Sequence, residues 1–91
     1  MKLMIYMRGD SYIIGIKKIK RDLYLNSEAI AKFLMISLEK YNNILRKYKI
    51  YSDYNNIFGI DHTYIYFEVL EDAQEVLNEL ESYLIMAKLR S

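Results

Sequence analysis

The sequence predicts a small α+β domain, and three observations carry that expectation. Residues 2–7 and 63–69 alternate at strand period, and 12–16 returns from a turn as a second apolar strand. From about 71 to 89 apolar residues recur at helical spacing instead, as Ala73, Val76, Leu77, Leu80, Leu84 and Ala87. Between these lies SEAIAKFLMISLEKYNNILRKY (27–48), helical in pattern but broken by four consecutive apolar residues. A chain of 91 residues, 53% hydrophobic, supports one packed core and one domain spanning 1–91.

In the first strand Leu3, Ile5 and Met7 share a face, with Lys2, Met4 and Tyr6 on the other. Arg8-Gly9-Asp10 supplies a turn, because glycine accepts the positive φ that hairpin corners demand. The same triplet spells an integrin ligand, but a turn accounts for it. Tyr12, Ile14 and Ile16 return together on a second strand, completing an N-terminal β-hairpin. The densest positive run follows, and Lys17, Lys18, Lys20 and Arg21 are candidate phosphate contacts. Leu23-Tyr24-Leu25 is a short extended lead into Asn26 or Ser27, either of which can cap a helix. Glu28 then favours the positive end of the helix dipole.

Beyond 48 the pattern predicts an extended piece over 49–52, a turn-rich stretch over 53–59 punctuated by Asn55-Asn56 and Gly59, and a strand over 63–69. Thr63, Ile65, Phe67 and Val69 form one face of that strand, and Tyr64, Tyr66 and Glu68 the other. Together these make a second β-hairpin. The long C-terminal amphipathic helix closes the chain. Near its end Tyr83-Leu84-Ile85-Met86 is apolar all round, so Tyr83, Ile85 and Met86 are expected to meet a second copy of the chain or another partner.

The central stretch admits two readings. Ile30, Leu34, Leu38, Tyr41, Leu45 and Tyr48 would stripe one continuous helix. Such a helix would expose part of Phe33-Leu34-Met35-Ile36 to water. A corner at Met35-Ile36 avoids this by turning Ile36 inward and letting Ser37 cap a new helix.

Read as a corner, IAKFLMISLEKYNNILRKY resembles the helix-turn-helix of small excisionase and MerR-like winged-helix DNA-binding domains. The small Ala31, the apolar Leu34 before the turn, Ile36 and the cap Ser37 after it, and Tyr41 and Ile44 in the second helix carry the resemblance. The turn position usually held by glycine is Met35 here. The resemblance implies a non-enzymatic, sequence-selective binder of double-stranded DNA, a small transcriptional regulator or recombination accessory factor of phage or plasmid type. The second hairpin would be its wing. Asn42, Asn43 and Arg46 would then read base edges, since Asn pairs bidentately with adenine and Arg with guanine. Glu39 could accept from cytosine, and Lys40, Lys47 and Lys49 would take phosphates. A dimer reading two half-sites would compensate for the modest number of cations.

Charge is distributed in keeping with this. The net charge is only +1, yet 1–60 holds 11 Lys+Arg against 5 Asp+Glu, while 61–91 holds 2 against 7. A basic front and an acidic back suit a molecule with one face toward phosphate. A rival reading uses the acidic end: Glu71, Asp72, Glu75, Glu79 and Glu81 on the last helix would imitate nucleic-acid charge and dock on a larger host protein. A third would stack single-stranded bases on Tyr41, Tyr48, Tyr51 and Tyr54 among Arg46, Lys47 and Lys49.

Catalytic and metal chemistry find little support. No cysteine is present, and His62 is the one histidine. Asp53-Tyr54-Asn55 opens like a calcium loop, but Ile57 and Phe58 occupy the third-ligand and glycine positions and Tyr64 the closing Glu. No phosphate-binding glycine loop or nucleophile elbow occurs. No cofactor is expected. The start, MKLMIYMRGD, meets charge too early for a secretory apolar region or a membrane span, so the expected location is cytoplasmic.

Overall fold

The computed structural model describes residues 2–18, 23–24, 26–48, 50–57 and 60–90, without the side chains of 23–24, 50–57 and 60–63. Among the described residues eight elements follow in order: β1 (Lys2–Arg8), β2 (Ser11–Lys17), β3 (Leu23–Tyr24), α1 (Ser27–Phe33), α2 (Leu38–Leu45), β4 (Ile50–Ile57), β5 (Ile60–Phe67) and α3 (Leu70–Arg90). The α+β architecture, the two hairpins and the long last helix match the sequence expectation.

β1 and β2 pair antiparallel from Lys2 opposite Lys17 to Arg8 opposite Ser11. Gly9, at φ 62°, turns the corner, and a left-handed first loop residue is what a II′ hairpin needs. A Cβ there would meet nothing within 4 Å, so backbone conformation alone selects glycine. β4 and β5 form the second hairpin, from Ile50 opposite Phe67 to Ile57 opposite Ile60. β5 joins β2 through Tyr12 opposite Phe67 and Ile13 opposite Tyr66. The two hairpins thus make one sheet of order β1-β2-β5-β4, with β3 added beside the end of β2.

Two expectations are corrected. The stretch expected to be turn-rich is strand as far as Ile57, because Asp53, Asn55 and Asn56, which favour turns locally, are held by the β5 ladder. The strand expected over 63–69 runs instead from Ile60 to Phe67, and Val69 lies past it, exposed, before α3 begins.

One sheet face carries the core. Leu3, Ile14, Ile16, Ile65 and Phe67 pack against Ile30, Ala31 and Leu34 of the α1 region, Tyr41, Ile44 and Leu45 of α2, and Ala73, Val76, Leu77 and Leu80 of α3. These are the positions the strand and helix periods select. On the other face Tyr6, Ile13 and Tyr66 form a row across three strands. Ile13 and Tyr66 are buried there, outside the main cluster, and the Arg8 guanidinium lies 5.7 Å above the Tyr64 ring. Met7, on the core side of β1, is exposed, because it stands at the sheet's rim. Among the described residues no helix is long and apolar enough to cross a membrane.

Candidate nucleic-acid interface

The two central helices meet at a tight corner. Asn26, not Ser27, caps α1: its Oδ1 accepts the Ala29 N–H at 2.7 Å, and Ser27 is buried. At the other end Leu34 N–H donates to Ile30 O at 3.0 Å, Met35 N–H to Lys32 O at 3.1 Å, and Ile36 N–H to Ala31 O at 3.1 Å. The last two bonds are the 5→2 and 6→1 pair of a Schellman closure, which places its C′ residue in the left-handed region. Met35 occupies it at φ 58°. The chain therefore makes a glycine-type turn with a methionine. Met35 points to solvent at 55% exposure, while Ile36 folds back against the core. Ser37 then caps α2, its Oγ accepting the Lys40 N–H at 3.1 Å.

In α2, Tyr41, Ile44 and Leu45 are buried and fix which side faces outward. Glu39, Asn43 and Arg46, at i, i+4 and i+7, form the exposed crest. Arg46 Nη1 donates to Asn43 Oδ1 at 3.5 Å, so the two base-reading candidates are already neighbours. Asn42 sits on one shoulder, half-buried, and its Oδ1 is buried without a hydrogen-bond partner. Leu38, on the same shoulder, is exposed.

Lys40 and Lys47 occupy the opposite shoulder, which faces α3. Lys47 Nζ donates to Glu79 Oε1 at 3.1 Å, and Lys40 Nζ lies 4.6 Å from the centre of the Tyr83 ring. The hydrogen bond and charge of Glu79 hold the Lys47 ammonium above its ordinary range. Burial, with the Glu75 carboxylate behind it, likewise raises the Tyr48 phenol. These two lysines are thus not bare cations waiting for phosphate. Lys17 is exposed at the end of β2, opposite Lys2, with Lys18 half-buried beyond it. Lys20, Arg21 and Lys49 lie outside the described residues.

The tyrosine stacking reading loses its first member. Tyr41 is buried in the core, and that burial raises its phenol far above the ordinary 10.0. Tyr48 is half-buried, and the side chains of Tyr51 and Tyr54 lie outside the described residues, as does that of His62. At the end of α3, Ile85 (62%) and Met86 (47%) are exposed as expected. Tyr83 does not join them, because it leans on the core and carries Lys40. Leu89, 82% exposed and one turn beyond Ile85, does join them, and its i+4 spacing was a signal available in the sequence.

No protein-family model matches this chain, and no curated protein and no solved structure is significantly similar to it.

Proposed function

We propose that the chain is a non-enzymatic DNA-binding protein that lays α2 in the major groove as the second helix of a helix-turn-helix. The observation that carries this reading is the corner itself. A left-handed Met35 and a Ser37 cap separate two short helices, and the second shows a continuous polar crest of Glu39, Asn43 and Arg46. Nothing in the core needs those three side chains. Asn43 and Arg46 are the base readers in this reading, with Glu39 beside them and Asn42 at the edge of the contact. The β4–β5 hairpin would lie alongside as a wing, and Ile85, Met86 and Leu89 would join two copies over adjacent half-sites.

The rival use of α3 as an acidic docking face is less well supported. Of its five acids, Glu79 is bound to Lys47 and Glu75 acts on Tyr48, so both are turned to the chain's own α2 end. Fluorescence anisotropy against a random duplex and a random single strand, across a salt series, tests the proposal. Duplex binding in the micromolar range that weakens steeply with salt is the expected result. Asn43→Ala with Arg46→Ala should then weaken binding to a selected site by at least ~10-fold, since each good base contact is worth about 1–3 kcal/mol. Absence of duplex binding at low salt would sink the reading.

A further inference from the structure

Three side-chain relations tie the α2 end to α3, and they fall in one order. Lys40 meets Tyr83, Lys47 meets Glu79, and Tyr48 feels Glu75. Positions 75, 79 and 83 are spaced by four and so form one ridge of α3. The matching positions on the α2 side rise as those on α3 fall, so the two elements run in opposite directions across the contact. The Lys47–Glu79 pair spans 32 residues of sequence, with side chains 60% and 29% exposed. A pair that open to water is worth little to the fold. Its consequence lies elsewhere: a carboxylate already sits where a phosphate would meet Lys47.

We propose that Glu79 is an internal competitor for phosphate, an autoinhibitory contact that occupies Lys47, just past the end of α2, until a nucleic-acid backbone displaces it. This inference rests on the DNA-binding reading and adds a regulatory element to it. The negative back of the chain is laid along the flank of its positive front, so the charge division visible in the sequence becomes a contact in the fold. Binding DNA then requires breaking the Lys47–Glu79 bond, and phosphate affinity is lower than Lys40, Arg46 and Lys47 together would give. The competition is also local. Glu71, in the first turn of the same helix, is exposed and two turns away from Glu79, and it offers a control of equal charge change.

The test compares the full chain with Glu79→Gln, Glu71→Gln, Lys47→Gln and the Lys47→Gln/Glu79→Gln double variant. The probe is a labelled random duplex, titrated from low to moderate salt. Glu79→Gln should bind several-fold more tightly than Glu71→Gln at low salt, because its Lys47 meets phosphate without first leaving a carboxylate. The advantage should vanish on the Lys47→Gln background. A wild type that binds weakly, beside a Glu79→Gln variant that binds several-fold more tightly, supports the inference most directly. Equal affinities for Glu79→Gln and Glu71→Gln, with a wild type that binds, overturn the internal competitor and leave the DNA reading standing. No binding by any variant overturns both. Thermal melts of each variant report that it is folded, since an exposed pair of this kind contributes little to stability.

Discussion

At the scale of single residues, Met35 decides the most. The sequence shows methionine where the resembling domains keep glycine, which on local grounds argues for one unbroken helix. The structure places Met35 at φ 58° with both reversed backbone bonds made. A left-handed conformation costs a non-glycine residue about 1–2 kcal/mol, because Cβ crowds the following carbonyl. Inward packing of Ile36, which needs the corner, offsets that cost. The strain implies a stabilising substitution. Met35→Gly should raise stability by about 0.5–1 kcal/mol, the relieved strain less the added freedom of glycine in the unfolded chain. The Met35 side chain is mostly exposed, so little packing is lost. Urea unfolding measures this, and a destabilised Met35→Gly would show that the strain is not there. The corner was legible because four apolar residues in a row cannot all face inward on one helix. The backbone conformation of Met35 was not, because it is imposed by contacts on both sides of the turn.

At the scale of elements, legibility follows how far each one depends on its own residues. α3 was legible because its helical period is clean, and the first hairpin because a glycine turn joins two apolar segments of strand length. β4 was legible only at its start: in IYSDYNNI the Ser-Asp and Asn-Asn pairs read as turn, and the whole becomes a strand through its register with β5. Side chains that α2 turns toward α3 were illegible for a similar reason, since nothing local in Lys47 announces a partner 32 residues away. What α2 does carry locally is its start. Eight residues make a helix too short to persist by propensity, so its cap and its buried face must hold it. Ser37→Ala removes the acceptor for the Lys40 N–H and should cost about 1 kcal/mol. On the proposed function it should also weaken duplex binding, because a frayed first turn misplaces Glu39. Equal unfolding midpoints for Ser37→Ala and wild type would show that the corner, not the cap, sets the helix start.

For the whole molecule, one core joins the sheet to all three helices, and Tyr41 stands in it at 2% exposure. A phenol in that position titrates far less readily than the same group in the unfolded chain, whose value is the ordinary 10.0. The sign of the linkage follows from proton uptake. Below pH 10 both states hold the proton, and the contribution of Tyr41 to stability is fully present. Above pH 10 the unfolded chain loses the proton while the folded chain keeps it, so unfolding becomes progressively easier. The decline from this one residue is about 1.4 kcal/mol per pH unit, continuing until the folded phenol itself titrates. Tyr48 and Tyr6, raised mainly by burial, and Lys47, raised by Glu79, shift in the same direction and steepen the loss in the same alkaline window. The protein should therefore unfold cooperatively in base, driven from the centre of the helix layer. Tyr41→Phe isolates the main source: between pH 10 and 11.5 its unfolding free energy should fall less steeply than that of wild type by about 1.4 kcal/mol per unit. Urea titrations at successive pH values measure both slopes. Parallel slopes would mean that the Tyr41 hydroxyl meets water in the native state, and α2 would then have to sit further from the sheet than its buried Ile44 and Leu45 place it.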